Sequence, residues 1–136
     1  MEIKLTKNIN EFTSIVKLIE NMNYETNLFI NDNMSIHVVD ESNIMLLDII
    51  IKKDFFDEFN NEKEIGFGLN FNIVNKIVNS MKSGFILKES DDNLLFKGNK
   101  LKRTIKKYVV VKHDKPAIPK DHKFLYKIST DEFISF

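Results

Sequence analysis

The stretch Phe12-Thr-Ser-Ile-Val-Lys-Leu-Ile19 decides the fold, because its apolar pattern returns in the second half of the chain. Its apolar residues have the i, i+3, i+4, i+7 spacing that places side chains on one face of a helix. These residues are Phe12, Ile15, Val16 and Ile19. The stretch Val74-Asn-Lys-Ile-Val-Asn-Ser-Met81 repeats the stripe with Val74, Ile77, Val78 and Met81. The spacing predicts two amphipathic helices, over residues about 10–22 and about 71–81.

Each predicted helix has the same position in a series of four predicted strands. Alternating patterns predict strands at 2–6, 25–30, 34–39 and 44–51, and again at 64–69, 84–89, 93–98 and 101–112. Asp32-Asn33 and Asp91-Asp92 are the matching hairpin turns, and Asn8 or Asn10 and Asn70 are the expected helix N-caps. Each half therefore follows the order β-α-β-β-β, which predicts an α+β fold with two helices packed on antiparallel sheets. A short helix or turn is expected at 54–59, where the halves join.

Composition limits the classes of function. The chain has 136 residues, 20 basic and 20 acidic side chains, and no cysteine. A balanced charge excludes a globally basic nucleic-acid binder, although it leaves room for a local basic face. Without cysteine the chain has no disulfide or thiolate metal site, which fits an intracellular protein. No apolar run approaches the roughly 20 residues that span a bilayer, so we expect no membrane association.

The two prolines mark a predicted domain boundary. Pro116 and Pro119 lie in a polar stretch without periodicity, which predicts an extended linker at 114–123. After it, residues 124–136 repeat the pattern at 2–15, an alternating strand followed by Glu-Phe-x-Ser. We therefore expect a first domain at 1–113, the linker, and the first strand and helix start of a second, incomplete domain at 124–136. The alternative is a surface loop within one domain.

The faces of the helices that point away from the predicted core carry amides, hydroxyls and lysines. On the first helix these residues are Asn10, Thr13, Ser14, Lys17, Glu20 and Asn21, and on the second Asn72, Asn75, Lys76, Asn79 and Ser80, with Lys82 just beyond. Lysines neutralise phosphates, and amides form hydrogen bonds that carry no sequence information, so such a face suits a nucleic-acid backbone. A merely Asn-rich solvated surface is the open alternative.

The strand at 44–51 is apolar on both of its predicted faces. Period-two alternation places Met45, Leu47, Ile49 and Ile51 on one face and Ile44, Leu46, Asp48 and Ile50 on the other. An ionised Asp48 would be costly in a core, so its face should be the exposed one. With Val39 just upstream, that face predicts a partner site, because exposed apolar patches mark interaction surfaces. The alternative is that both faces are covered and Asp48 sits at an edge.

The strand Lys107-Tyr-Val-Val-Val-Lys112 has lysines at both ends, a common protection of a sheet edge. Its β-branched run could also pair with another subunit.

Residues that would support catalysis do not form a recognisable set. His37, His113 and His122 lack the spacing of zinc ligands, and Gly66-Phe-Gly68 lacks the third glycine of a dinucleotide-binding loop. The acids at 54–58 are expected to form a solvated helix face. We therefore predict a protein without catalytic residues, metal or cofactor.

Several of these segments resemble, in order, the sliding clamp family of the proliferating cell nuclear antigen (PCNA) type in archaea and eukaryotes. Glu11-Phe12 opens the first helix, and Met34-Ser-Ile-His-Val-Val-Asp40 is similar to a family strand that ends in Asp. Asp40-Glu-Ser-Asn-Ile-Met-Leu46 resembles the family's Asp-x-Ser-x-Val-x-Leu. Gly68-Leu-Asn70 and Ala117-Ile-Pro119 resemble Gly-Val-Asn before the second helix and Gly-Ile-Pro in the interdomain connector.

The resemblance implies a DNA-clamp fold and a function as a processivity factor for DNA polymerase, a ring that encircles duplex DNA. Helices would line the DNA channel, with Lys17, Lys76, Lys82, Asn75 and Asn79 facing phosphates. Partner peptides would bind a groove formed by Val39, Ile44, Leu46, Pro116, Ile118 and Pro119. Tyr108, Val109, Val110 and Val111 would form the subunit interface.

Implied partners are double-stranded DNA, DNA polymerase, other clamp-binding proteins, a clamp loader, and a second copy or a complementing clamp subunit. The implied location is cytoplasmic for an archaeal or viral source and nuclear for a eukaryotic one. The chain departs from the family because it stops inside the first helix of the second domain. Asn79 also stands where a channel lysine is frequent, and Pro116 where a large apolar residue is common. The clamp hypothesis includes the case in which this chain is one part of a split or truncated clamp. The alternative is a clamp-fold interaction module that binds partner peptides without encircling DNA.

Overall fold

A computed structural model describes residues 1–42 and 44–110, which form two helices and nine strands. The helices are α1 (Ile9–Met22) and α2 (Phe71–Ser80). The strands before α2 are β1 (Glu2–Leu5), β2 (Glu25–Ile30), β3 (Met34–Val39), β4 (Leu46–Ile51), β5 (Glu58–Asn60) and β6 (Ile65–Asn70). Those after it are β7 (Phe85–Glu89), β8 (Asn93–Lys97) and β9 (Lys102–Lys106).

The strands form two antiparallel sheets. One has the order β5-β1-β7-β8-β9 and the other the order β4-β3-β2-β6. The helices pack against each other, and their apolar stripes join the inward side chains of both sheets in one core. All eight residues of the two predicted stripes are buried, so the helical periodicity is confirmed. The two helices form a layer on this core, and the exposed residues that alternate along the strands lie on the sheet faces away from it.

The helix starts differ in how they are capped. Asn70 caps α2, because its side-chain oxygen accepts a hydrogen bond from the Asn72 backbone N–H at 2.9 Å. Asn8 precedes α1 but makes no such bond, and its amide donates instead to the Phe55 carbonyl at 2.8 Å. Asn10 lies within the first turn of α1. Thus one predicted cap is confirmed, and Asn8 serves to anchor the segment that joins the two halves.

That joining segment holds a strand that the sequence did not predict. A single turn of 3₁₀-helix at Lys53–Phe55 is followed by β5, which pairs with β1. Between them Asp57 accepts hydrogen bonds from the backbone N–H groups of Thr6 and Lys7, at 2.8 and 3.1 Å, and from the Thr6 hydroxyl. These bonds, that of the Thr6 side chain foremost, lower the pKa of Asp57 to about 2. The expected solvated helix face is therefore wrong, and Asp57 fixes the turn between β1 and α1.

The last predicted strand, at 101–112, is too long. β9 ends at Lys106, and one further backbone bond, from the Lys107 N–H to the Asp92 carbonyl at 2.9 Å, still joins the chain to the residue before β8. Tyr108 pairs with Gly68 on β6, the edge of the other sheet. The Lys107 side chain, expected as exposed edge protection, is only 12% exposed. Its ammonium lies 3.0 Å from Glu89 and over the ring of Phe67. Residues 107–108 therefore tie the two sheets together.

Neither helix in the described part of the chain has the length and apolar character needed to cross a membrane.

Candidate functional site

The solvent side of the helix layer carries the side chains predicted for it. On α1 the exposed residues recur at the spacing of one helical stripe, Asn10, Ser14, Lys17 and Asn21. On α2 the exposed polar residues are Asn72, Lys76, Asn79 and Ser80. The structure therefore brings Lys17, Lys76 and Asn79 onto one exposed layer. This layer offers two ammonium groups and several amides to a ligand.

Other polar groups on the layer are already engaged. Asn75 is half-buried: its amide donates to Glu20 on α1 at 3.3 Å, and its oxygen accepts from Asn79 at 3.1 Å. The hydroxyls of Thr13 and Ser14 donate to backbone carbonyls one turn earlier. Asn75 therefore links α1 to α2, and much of its capacity for hydrogen bonding is used within the protein.

Lys82 does not belong to the stripe on α2, because the helix ends at Ser80. Its exposed side chain lies at a cleft formed with the turn between β8 and β9. Lys82 therefore lies just beyond the end of α2, where the sequence placed it, and beside the turn between β8 and β9.

The outer face of the four-stranded sheet contains the predicted apolar patch. β4 alternates as expected, with Leu47, Ile49 and Ile51 buried and Leu46 and Ile50 exposed by 39% and 38%. This alternation confirms which face is exposed.

Two residues beside β4 differ from expectation. Met45 was predicted on the buried face but is 58% exposed, because residues 44 and 45 precede the start of the strand and escape its alternation. Ile44 is 81% exposed. Val39 pairs with Leu46 and so shares its face, yet it is only 8% exposed. Val39 is therefore a buried neighbour of the patch and not part of its exposed surface, whereas Met45 belongs to that surface. We call Ile44, Met45, Leu46 and Ile50 the apolar patch.

Asp40 holds the loop that presents this patch. Its Oδ1 accepts the backbone N–H groups of Ile44 and Met45 at 2.8 and 2.9 Å, and its Oδ2 accepts the Ser42 hydroxyl at 2.6 Å. The Asp40 N–H donates to the Met45 carbonyl at 3.0 Å. The Ser42 hydroxyl, followed by the backbone N–H of Met45, lowers the pKa of Asp40, so the carboxylate form is favoured. The Asp-x-Ser spacing in the sequence is thus a self-capped turn that leaves two apolar side chains in solvent.

Asp48 lies in the exposed face beside the patch and has a partner there. It stands opposite His37 on β3, and the carboxylate contacts the imidazole Nδ1. The His37 ring meets Phe29 edge-on, with ring centroids 5.0 Å apart. The sequence placed Asp48 on the exposed face but gave His37 no partner. The register of β3 and β4 supplies this partner, since residues directly opposite in antiparallel strands share a face.

The predicted interface residues leave the sheet edge on which they were expected. Tyr108 and Gly68 exchange backbone hydrogen bonds of 2.9 and 2.8 Å. Gly68 permits this approach, because a Cβ there would lie 3.3 Å from the Val109 carbonyl oxygen. Tyr108 and Val109 remain 50% and 90% exposed, and Val110 is half-buried. Val111 and the three groove residues Pro116, Ile118 and Pro119 lie outside the described residues, as do the predicted linker and second domain.

Among the described residues, β9 and β5 end the larger sheet, and β4 and β6 end the smaller one, with Gly68 of β6 bridged to Tyr108. Within the same residues, no group of three or more His, Asp or Glu side chains is placed to hold a metal ion.

Comparison with known sequences identifies a family. Residues 1–116 match the family model "Proliferating cell nuclear antigen, N-terminal domain". DNA polymerase sliding clamp 1 of Pyrobaculum aerophilum is 35% identical over 75 residues, which cover 54% of this chain and 30% of that protein. DNA polymerase sliding clamp 2 of Sulfolobus acidocaldarius is 34% identical over 62 residues, 46% of this chain and 25% of that protein. The matched regions thus span less than a third of these relatives.

Solved structures share the fold. PCNA of Entamoeba histolytica superposes with a TM-score of 0.74 at 28% identity, covering 88% of this chain and 51% of that one. A PCNA2-PCNA3 complex of Sulfolobus tokodaii gives 0.72 at 21% identity, with 91% of this chain and 52% of the matched chain. The chain therefore spans about half the length of these proteins. These similarities confirm the α+β clamp fold expected from the sequence.

Proposed function

Because this chain belongs to the proliferating cell nuclear antigen family, with the N-terminal domain of that family in residues 1–116, we propose that it works as a DNA sliding clamp. In this role it encircles duplex DNA, as a ring completed by further clamp domains, and docks DNA polymerase and other replication and repair proteins. The observation that carries the proposal is the family match together with a structure that presents an open helix layer and an exposed apolar patch on separate surfaces.

The helix layer suits a ligand that must be held without being fixed. Lys17 and Lys76 supply two exposed cations, and Asn79 supplies an amide. Each phosphate contact contributes a salt-dependent increment to affinity and carries no sequence information. A ring retains DNA by topology, so a few weak contacts leave it free to slide. The neutral net charge of the chain agrees with this arrangement.

The apolar patch suits a short partner segment. Ile44 and Met45 are apolar and yet exposed to solvent. Hydrogen bonds from their backbone N–H groups to Asp40 fix the backbone at these two residues. A preformed surface binds with a smaller loss of conformational entropy than one that must be ordered on contact. The patch is therefore assigned to docking of DNA polymerase and other clamp-binding proteins.

Ring closure is assigned to the strand edges and the exposed residues beyond β9. Tyr108 and Val109 are available there, and β9 has an unpaired edge among the described residues. The partner is a second copy of the chain or a complementing clamp subunit. The proposal assigns no catalytic step to any residue.

The test is DNA synthesis by the DNA polymerase of the same organism, with its clamp loader, on primed circular single-stranded DNA. Addition of the chain, alone or with a complementing clamp subunit, should lengthen the products made in one binding event. A linear template with open ends is the control, since a ring held by topology slides off it. Equal stimulation on both templates, or none on either, would contradict encirclement. Retained binding of the polymerase without stimulation would indicate a docking module instead.

A further inference from the structure

A carboxylate lies within the apolar patch. Leu46, Asp48 and Ile50 follow one another on the exposed face of β4, so about 7 Å of strand separates each from the next. Asp48 contacts the imidazole Nδ1 of His37, yet 27% of its side chain remains exposed. Phe29 meets the same imidazole edge-on, with ring centroids 5.0 Å apart. The apolar patch is therefore interrupted by an acidic group that any partner lying along β4 must cover.

Covering Asp48 with an apolar side chain alone would be unfavourable. An ionised carboxylate loses its hydration on burial, and this loss is compensated only by hydrogen-bond donors or an opposite charge. His37 supplies one contact. A carboxylate offers about four acceptor positions, so a single contact leaves others to be satisfied. A partner that carries a lysine or arginine beside its apolar residues meets this need.

Three further carboxylates lie around the end of the patch at which β4 begins. Asp40 and Glu41 belong to the turn that carries Ile44. Glu25 is exposed on the same face of β2, two strands from β4 and thus roughly 10 Å away. Among the described residues, none of these carboxylates forms an ion pair with a lysine or arginine. We call the set the acidic end of the docking surface: Glu25, Asp40, Glu41 and Asp48.

The lysines nearest to Asp48 along the chain lie beyond the other end of β4. Lys52 and Lys53 follow the strand, and Lys52 is about 14 Å from Asp48 at the rise of four strand residues. This separation exceeds the Debye length of roughly 10 Å at 0.1 M salt, so these lysines neutralise the acidic end only weakly. A chain with no net charge thus has a local negative potential beside its apolar patch.

We propose that the acidic end favours partner segments in which a lysine or arginine stands beside the apolar residues that occupy the patch. This inference rests on the proposed function and deepens it, because it names the charge of the segment that docks. Apolar burial supplies affinity, and opposite charges supply selectivity and faster encounter. A nucleic-acid backbone is disfavoured at this surface, since its phosphates have the same sign of charge as the carboxylates.

The experiment measures, by fluorescence anisotropy, the affinity of the full chain for three peptides at low and high salt. Each contains the clamp-binding segment of the DNA polymerase of the same organism. The first carries two lysines beside its apolar residues, the second two glutamines and the third two glutamates. At low salt the lysine form should bind at least about fivefold more tightly than the glutamine form, and the glutamate form at least about fivefold more weakly. Both differences should shrink at high salt, because salt screens exposed charges.

The test variant combines Glu25→Gln, Glu41→Gln and Asp48→Asn. The preference for the lysine form should fall below about twofold, because most of the opposing charge is gone. Asp40 is left unchanged, since it holds the turn that carries the patch. Glu25 and Glu41 are exposed, and an amide at position 48 can still contact His37, so the variant should remain folded. If the triple variant unfolds, Glu25→Gln with Glu41→Gln should still reduce the preference.

The matched control combines Glu58→Gln, Asp91→Asn and Asp92→Asn. It makes the same change in net charge at exposed acids of the larger sheet, on β5 and in the turn between β7 and β8. Its preference for the lysine form should stay at about fourfold or more. An equal loss of preference in the two triple variants would overturn the inference, since it would reflect net charge alone.

Further outcomes separate this inference from the function beneath it. Equal binding of the three peptides to the unaltered chain would overturn the role of the acidic end and leave docking at the apolar patch standing. A full lysine preference in the test variant would overturn it as well and would assign the charge contact to another surface. A test variant that changes in solution mass would assign the acidic end to a contact between copies, against the proposal. No binding of any peptide to the unaltered chain would contradict the docking function itself.

Discussion

The neighbouring residues Leu46 and Leu47 on β4 test whether the two faces of this strand differ in burial. The proposed docking surface requires that difference. Leu46 is 39% exposed and Leu47 is 8% exposed and joined to the core. Leu→Ala in a packed core costs about 2–5 kcal/mol, because it removes buried methyl groups and leaves a cavity. We therefore expect Leu47→Ala to lower the free energy of unfolding by about 3 kcal/mol. Leu46→Ala should cost about 1 kcal/mol, since its side chain is only partly removed from water.

Thermal unfolding followed by circular dichroism would measure the difference. For a domain of this size about 1 kcal/mol corresponds to roughly 4 °C in the melting temperature, so the two variants should differ by roughly 8 °C. Ile44→Asp combined with Leu46→Asp should likewise leave the protein folded. The pair should reduce affinity for the clamp-binding segment of the DNA polymerase at least about tenfold, because carboxylates would enter an apolar contact.

Equal destabilisation by Leu46→Ala and Leu47→Ala, or collapse of the melting temperature in the double Asp variant, would contradict these expectations. Either result would mean that the outer face is part of the core. Undiminished peptide affinity in a folded double variant would remove the patch from the docking surface while leaving the strand geometry intact.

Three other contacts lead to predictions. For Asp57, whose pKa is lowered from 3.8 to about 2 in the folded chain, stability present above about pH 4 should be lost as the pH falls toward 2. In the Asp57→Asn variant the urea midpoint of unfolding should depend less on pH over that range. If the midpoints of the variant and the unaltered chain depend on pH in the same way, the role of this contact is contradicted. Asp40→Ala should speed hydrogen exchange at the amides of the 40–45 loop and weaken partner affinity with little change in melting temperature, whereas unaltered exchange would argue against the capped turn. Lys107→Met should cost about 1–3 kcal/mol in urea unfolding, because Glu89 is left half-buried without its partner. Adding Glu89→Gln should recover part of the loss, and a double variant no better than the single one would show that the ion pair is not the cause.

The local sequence pattern was sufficient to predict the helices and most of the strands. The stripes at Phe12 and Val74 are short-range signals, because neighbours three and four residues apart meet on one helix face regardless of the rest of the fold. The same holds for the turn at Asp40, whose partners lie within five residues. The spacing Asp-x-Ser is the local signal of that turn, in addition to its resemblance to the family.

Long-range contacts account for what was missed. Asp57 caps a turn about fifty residues away, and Tyr108 pairs with Gly68 across the two sheets. Nothing in the residues near Lys106 marks the end of β9, since the β-branched run that follows has strand propensity of its own. Tertiary pairing overrides that propensity and carries Lys107 into contact with Glu89.

Periodicity and short ordered motifs were enough to predict the helix and strand order, the two faces of β4 and the family. Which charges stand together followed from the packing of distant segments. This packing placed Lys82 beside the turn between β8 and β9, and it gave Asp48 its partner His37. The physical reason is that charge interacts through space, so its effect follows the packing of distant segments and not their order along the chain.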